Sequence, residues 1–319
     1  MISVIVPVYN CALYLERGIQ SLVSQTIFHD LEVIFVDDGS SDESAEIIRS
    51  YINKYSNMKL ICQKNNGVSA ARNRGVKEAK GNYVAFFDAD DVAENTLYEK
   101  LLSLMIENNA DLSCVNYLKC FSDGIERVQK DIEQSIFAGE QIIRSFFLSN
   151  VIGNNIVDKL FDLSIAKKIE FPEGYAIGED MFYLFKYLMN SKKVVVDNSQ
   201  CLYRYCIRND SAMKSNFSAK YFDTIDLSKK MMDMVSSNDS FYLLAESNWI
   251  HEICKTLAIY YQSENIQYKE KIISYTKCLN AYSLRKAFRY LSKKHFGALI
   301  IMRVSPRLYI SIYKLLHIG

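Results

Sequence analysis

Apolar residues along this chain fall into short runs that end abruptly in polar clusters. Ile2-Ser3-Val4-Ile5-Val6-Pro7-Val8-Tyr9 is a β-branched run that reads as a fully buried strand. Pro7 lacks a ladder donor and is expected to close it. Leu15, Ile19, Leu22 and Val23 recur at i, i+4, i+7 and i+8, which predicts a helix with one apolar face. Residues 31–36 form a second buried run, ending in Asp37-Asp38-Gly39-Ser40-Ser41-Asp42. Gly39 permits a tight turn there, and Ser40 with Glu43 three residues on resembles a capping box opening the next helix. Leu60-Ile61-Cys62 is a short third strand, followed by a polar loop (63–67) and a helix (69–79). A fourth strand follows Gly81 and runs through Phe86-Phe87 straight into Asp88-Ala89-Asp90-Asp91. Leu97, Leu101, Leu104 and Met105 mark another helix, and residues 111–117 another strand.

Strand and helix alternate with short connections, so the expected class is α/β, a mostly parallel, Rossmann-like sheet covered by helices on both faces. Right-handed crossovers bring the strand ends to one edge, where ligands of open sheets bind. Tyr9-Asn10, Asp37-Asp38 and the acids at 88–91 all fall at such ends. Past residue 120 the pattern blurs. Residues 139–148, 160–168 and 180–189 read as helices, and 193–196 as a short strand. Beyond Asn216 the chain reads as helical, with Trp249, Ile253, Leu257 and Tyr260 stepping along one face. A boundary near 215 divides residues 1–215, with halves at about 1–115 and 116–215, from a helical region, 216–319.

Composition adds little to this picture except through charge and cysteine. With 24% charged and 49% hydrophobic residues, the chain is of ordinary globular composition. The eight cysteines show no C-x-x-C spacing and the four histidines no H-E-x-x-H, so a structural zinc site is not expected. Met1 leads directly into a strand, so the cysteines are expected to be reduced thiols of a cytoplasmic protein. The net charge of +1 hides an asymmetry. No Asp or Glu follows Glu270, whereas ten Lys and Arg do, leaving 28 basic against 37 acidic residues before that point. Such polarity points to an anionic surface near the C-terminus.

Clustered carboxylates at the end of a buried strand are costly as core, because unpaired buried charge is strongly disfavoured. They suit a strand edge that offers hard oxygen ligands to Mg²⁺ or Mn²⁺, with helix capping or a solvated turn as the alternative. No G-x-G-x-x-G follows the first strand and no Walker A lysine motif occurs, so a bound diphosphate would rely on such a cation rather than a glycine nest.

Four segments together, Val4-Ile5-Val6-Pro7-Val8-Tyr9-Asn10, Val36-Asp37-Asp38-Gly39-Ser40-Ser41-Asp42, Asn65-Asn66-Gly67-Val68-Ser69-Ala70-Ala71-Arg72-Asn73-Arg74-Gly75 and Asp88-Ala89-Asp90-Asp91, resemble glycosyltransferase family 2. The resemblance covers about residues 1–215 and implies a GT-A fold and an inverting mechanism. By that resemblance, Pro7 and Tyr9 lie beside a uracil and Asp38 accepts from its N3–H. Asp37 either supports the turn or binds. Asn65 and Arg72 border base and diphosphate. Asp88, Ala89 and Asp90 form the D-x-D motif, with Asp90 the leading metal ligand, Asp88 beside it and Asp91 in reserve.

Inversion is a single displacement and needs a carboxylate to deprotonate the acceptor hydroxyl. Phe171-Pro172-Glu173-Gly174 and Gly178-Glu179-Asp180-Met181-Phe182 resemble the family segment that carries this base, which makes Asp180 the candidate and Glu179 the reserve. A helix N-cap at Asp180 is compatible with that role. Tyr203-Arg204-Tyr205-Cys206-Ile207-Arg208-Asn209-Asp210-Ser211 resembles an element that closes over the diphosphate, through Arg208 and Ser211. Lys159-Leu160-Phe161 also fits the family pattern, which gives Lys159 no role beyond an acceptor-side contact. The Gln-x-x-Arg-Trp signature of processive members is absent, so one sugar per binding event is expected.

The expected function is metal-dependent transfer of a single sugar from a UDP-sugar to a hydroxyl of a glycan, a lipid-linked saccharide at the inner membrane face, in capsule or surface polysaccharide synthesis. Alternatives are a nucleotidyltransferase, whose glycine-rich basic loop Asn10-Cys11-Ala12-Leu13 lacks, and a non-catalytic nucleotide-sugar-binding protein. Residues 296–302 are too short to span a membrane. The basic and aromatic C-terminal residues read either as helices lying on an anionic bilayer or as a solvated face packed on the catalytic domain. No nucleic-acid motif accompanies the charge.

Overall fold

The computed structural model describes the chain except residues 122–123, 125, 129–133, 150, 208–216, 264–266, 292, 307 and 310–319. In order, the strands are β1 (Ile2–Val8), β2 (Leu31–Asp37), β3 (Met58–Cys62), β4 (Tyr83–Phe86), β5 (Val92–Ala93), β6 (Leu112–Cys120), β7 (Glu126–Val128), β8 (Ser135–Ala138), β9 (Lys159–Asp162) and β10 (Lys193–Cys206). The helices are α1 (Ala12–Val23), α2 (Ser44–Ile52), α3 (Val68–Glu78), α4 (Leu97–Asn108), α5 (Glu140–Leu148), α6 (Leu163–Ala166), α7 (Glu179–Leu188), α8 (Asp223–Met234), α9 (Asp239–Gln262), α10 (Lys269–Ala281), α11 (Leu284–Tyr290) and α12 (Lys293–Val304).

The strands form one sheet in the order β3-β2-β1-β4-β9-β6-β10-β5, with β7 on β6 and β8 on β10. Pairs β1–β2, β1–β4, β2–β3 and β6–β10 are parallel, while β9 runs antiparallel to both β4 and β6. Two reversals restore direction, so β6 and β10 point the same way as β1, β2 and β4. Their C-terminal ends share one edge. The chain crosses from β1 outward to β3 and then returns to the opposite side of β1 for β4. That reversal of strand order between β1 and β4 is where open sheets form a ligand crevice. The mostly parallel, helix-flanked sheet and the helical C-terminal region expected from the sequence are both present.

Two expected boundaries move. Pro7 does not close β1, which continues to Val8. The Ile5 carbonyl accepts from Phe87 on the β4 side and the Val8 carbonyl from Asp38 on the β2 side. By alternation the Pro7 nitrogen faces β4, beyond Ile5, the last residue in register with that strand. The missing donor falls where the two strands part. The expected capping box at Ser40 and Glu43 does not form. Helix α2 starts at Ser44, and Asp42 accepts from the Ser44 amide and hydroxyl and from the Ala12 amide. Ser40 instead accepts from the Asn10 amide, and the Asn10 side chain accepts from the Ser41 amide. The β1 and β2 end loops are thereby clasped together.

Two other readings are corrected. Residues 160–168 read as a helix, but 160–162 belong to strand β9 (Lys159–Asp162) and only the single turn α6 follows. A short apolar run with both periods available is decided by pairing partners, not by local pattern. Residues 193–196 are the start of a fourteen-residue strand whose register with β6 shifts between Asp197 and Cys201. The polar Asp197-Asn198-Ser199 marks that irregularity, and it hides the strand's continuation in the sequence.

Chain contacts divide the protein into two compact units, one of Met1–Phe146, Val151–Tyr175 and Glu179–Ser211, the other of Phe147–Asn150, Ala176–Gly178 and Ala212–Gly319. In the first, Val4, Ile5, Ile34, Phe35 and Val84 are fully buried in the sheet, each worth about 1.5–3 kcal/mol of burial. Glycine lets the helices approach closely. A Cβ on Gly75 would lie 2.3 Å from the Ile5 side chain, and one on Gly18 would lie 2.8 Å from the Ala89 carbonyl. Helix α1 therefore backs directly onto the acidic loop. The second unit packs α8–α12 around Phe217, Phe222, Ile253, Leu257 and Leu299. Among the described residues no helix is long and apolar enough to cross a membrane.

Candidate active site

The shared edge gathers the polar ends of β1, β2, β4 and β10, with the start of α7. At its centre is Arg72 of α3, whose side chain is only 4% exposed. One guanidinium nitrogen donates to Asp180 Oδ1 at 2.6 Å and to Glu179 Oε1 at 3.1 Å, and the other to Asp88 Oδ1 at 3.1 Å. Its Nε is buried with no hydrogen-bond partner. The guanidinium also lies over the Phe171 ring at 5.5 Å. One buried cation thus joins the acid at the end of β4 to two acids in the first turn of α7.

Position and support come from the neighbouring residues. Asn73, next in α3, donates to the Phe171 carbonyl and to Glu173 and accepts from the Phe171 amide at 2.7 Å. This fixes the segment leading to α7. Beneath it Phe171 stacks on Tyr183 at 3.8 Å between centroids and meets Phe86 edge-on at 5.1 Å, while Phe161 meets Phe86 and Tyr187. Aromatic pairs of this kind contribute about 0.5–1.5 kcal/mol each beyond their burial. They tie β4, β9 and α7 into one floor below the carboxylates.

The electrostatics follow from the count of charges. Arg72 faces Asp88, Glu179 and Asp180, one cation against three acids. Burial dominates and pushes the Asp180 carboxyl up to about 8, against the opposing pull of Arg72, with Glu179 and Asp88 adding to the rise. Burial lowers and the three acids raise the Arg72 pKa, with a net shift upward, so it stays charged.

Asp91, the reserve ligand in the sequence reading, is used differently. It is buried; its Oδ2 accepts from the Tyr203 hydroxyl at 2.6 Å and its Oδ1 from the Cys206 amide at 2.7 Å. Burial, then Asp88 and Asp90, hold its carboxyl well above the usual range. The same Tyr203 hydroxyl accepts from the Asp88 amide. Asp91 therefore bolts the acidic turn to β10, with each of its two oxygens engaged by a donor from that strand. Tyr203→Phe is expected to lower stability by about 1–3 kcal/mol, the cost of stranding a buried acceptor, read as a fall in melting temperature.

Asp88 gives one oxygen to Arg72, and Asp90 is half-exposed, with its backbone carbonyl accepting from Arg17 at 2.8 Å. Among the described residues no three His, Cys, Asp or Glu side chains form a ready cage for a metal ion. Two carboxylates of hard oxygen nevertheless fit Mg²⁺ or Mn²⁺, which commonly take one or two carboxylates and complete their shell with substrate phosphates and water. Asp90 and Asp88 are the residues that would hold it.

On the opposite side of the crevice, Asp38 is buried. Its Oδ1 accepts from Gln63 and from the Asn66 amide, and its Oδ2 from the Gly67 amide at 2.7 Å. A carboxylate has about four acceptor sites, so one remains for a base N–H. Asp37 accepts from the Ser40 amide and supports the turn. Tyr9 and Asn65 are exposed at the rim, Pro7 is half-buried beside them in the chain, and Ala89 is buried beneath the turn. Arg208 and Ser211 lie outside the described residues.

Sequence reading gave no role to three contributors, Tyr203, Asn73 and Arg17, and marked Lys159 only by its segment. Because β9 runs against its neighbours, its first residue, Lys159, lies at the edge where the others end. It is fully buried, paired with Asp158 at 2.6 Å and Asn155 at 3.0 Å, and its charge opposes the rise at Asp180. Its burial follows from that pairing, since lysine is almost never fully buried unless paired.

Residues 3–168 match the family model described as Glycosyl transferase family 2. Over 244 residues, 74% of this chain, the sequence is 32% identical to the minor teichoic acid biosynthesis protein GgaB of Bacillus subtilis (strain 168). The chain spans 27% to 63% of the lengths of three curated relatives that it matches. Among solved structures, S. aureus TarS 1–349 in complex with UDP-GlcNAc superposes with a TM-score of 0.72 at 20% identity, covering 98% of this chain and 91% of that one. The mannosyltransferase PcManGT of Pyrobaculum calidifontis, in complex with GDP-Man and Mn²⁺, gives 0.54 at 13% identity, covering 95% and 87%. At these identities the likeness establishes the fold, GT-A.

Proposed function

The chain belongs to glycosyl transferase family 2, and on that footing we propose that it transfers one sugar from a UDP-sugar to a glycan hydroxyl with inversion. The observation that carries this reading is the Arg72 bridge. It joins Asp88, at the diphosphate end of the crevice, to Asp180, at the start of α7. A donor bound along the crevice has its base against Pro7, Tyr9, Asp38 and Asn65 and its diphosphate toward Asp88 and Asp90. The remaining acceptor site of Asp38 suits the N3–H of uracil, and the UDP-GlcNAc bound by TarS supports the same nucleotide. A divalent cation, when bound by Asp90 and Asp88, would neutralise charge on the departing diphosphate.

Asp180 accepts the proton of the acceptor hydroxyl as that oxygen bonds to the anomeric carbon and the bond to the diphosphate breaks. A raised proton affinity suits a base of this kind, provided it is ionised when the acceptor arrives. Glu179 shares the Arg72 nitrogen and holds its orientation. Residues 1–215 carry this chemistry in our reading, with Arg208 and Ser211 closing over the diphosphate and the region 216–319 appended. GgaB, by name a minor teichoic acid biosynthesis protein, supports an acceptor in surface polysaccharide assembly; in our reading that acceptor is lipid-linked at the inner membrane face.

A panel of UDP-sugars and GDP-sugars, assayed for nucleotide release with Mn²⁺ present, tests the donor. Release from at least one UDP-sugar and none from GDP-sugars is expected. Release confined to GDP-sugars, or none from any donor, overturns the reading.

A further inference from the structure

The C-terminal charge asymmetry acquires a location in the structure. Not all of the basic residues are available to a partner. Lys286 turns inward onto Glu246 at 2.9 Å, and the Arg303 guanidinium donates to the Leu279 carbonyl at the end of α10. Among the described residues, the exposed cations after Glu270 are Lys271, Lys277, Arg285, Arg289 and Lys293. Two of these, Arg285 and Arg289, sit one turn apart on α11, each beside an exposed apolar residue, Leu284 (46% exposed) and Phe288 (77%). The inner face of α11 is Ala287, fully buried. Phe288 also meets Phe296 of α12 edge-on at 5.6 Å, so the apolar patch extends to the next helix.

A single exposed hydrophobe needs no explanation. A Leu–Phe pair at i, i+4, flanked by an Arg–Arg pair at the same spacing, in a segment with no acid after Glu270, is a different matter. Charge complementarity selects an anionic partner, and the apolar pair selects one with an oily interior beneath the charge. We propose that α11 docks on an anionic bilayer, with Leu284 and Phe288 entering the headgroup–acyl boundary and Arg285 and Arg289 engaging lipid phosphates. Nucleic acid would use the arginines but leave Leu284 without a partner. The proposal deepens the membrane-face reading above by naming its surface, and its deciding readout, vesicle binding, needs neither donor nor acceptor.

The test is co-sedimentation of the full chain with vesicles of phosphatidylcholine alone or mixed with phosphatidylglycerol, at about 0.1 M salt, where surface charge is still felt. The chain is expected to partition onto the anionic vesicles only. L284S/F288S and R285S/R289S should each cut partitioning roughly tenfold, with melting temperature and UDP release unchanged. Unaltered partitioning in both variants overturns the proposal. So does binding of a single-stranded oligonucleotide or a dimer dissolved by L284S/F288S, in place of vesicle binding. Loss of UDP release from every form, with vesicle binding intact, would instead overturn the transferase reading and leave this surface standing.

Discussion

Replacing Asp180 with Asn lowers kcat by about 10²–10⁴-fold, the usual contribution of a positioned general base, while the KM for the UDP-sugar changes little. The reason lies in what Asn retains. Its carbonyl still accepts from Arg72, so the bridge to Asp88 survives, and one of three clustered acids is removed. Folding should therefore be unharmed and donor binding no weaker. What disappears is the ability to take a proton. The pH profile provides a second readout. The base works as the carboxylate, so kcat/KM of the wild type falls as pH drops below the Asp180 pKa, near 8 in the free enzyme, and rises through it. Arg72→Met moves the limb of kcat/KM upward, because the opposing cation is lost. A variant with kcat near wild type would leave Asp180 as a capping residue only.

Asp90→Ala is expected to cost about 10²–10³-fold in turnover, equivalent to several kcat-determining kcal/mol of charge neutralisation on the leaving diphosphate. It should also abolish the dependence of rate on Mn²⁺ concentration. Asp91→Asn serves as the contrast. Asp91 is buried and bonded to Tyr203 and Cys206, so its substitution should affect melting temperature more than metal response. If Asp91→Asn lost the metal response and Asp90→Ala kept it, the assignment of the acidic turn would be reversed.

Much of the sheet was legible because its strands are largely buried and read as near-continuous apolar runs, as in Ile2–Val8 and Leu31–Asp37. The acids at 88–91 were legible because charge at the end of such a run has no place in a core. Legibility failed where a role depends on residues distant in the chain. Arg72 meets Glu179 and Asp180 more than a hundred positions away, and nothing in its own helix announces three acidic partners. The difference between Asp91 and Asp90 arises from Tyr203, on a strand that the sequence showed only in part. Strand β9 was obscured for a related reason: a four-residue strand between two others is specified by its neighbours rather than by its own period.

Metal dependence decides whether Asp88 and Asp90 hold the diphosphate through a divalent cation, with Arg72 joining Asp88 to the base Asp180. UDP release from the preferred UDP-sugar should be measured in Mn²⁺ and again after chelation with EDTA. The account predicts that release stops on chelation and returns when Mn²⁺ or Mg²⁺ is restored. Release at an undiminished rate in EDTA would contradict it.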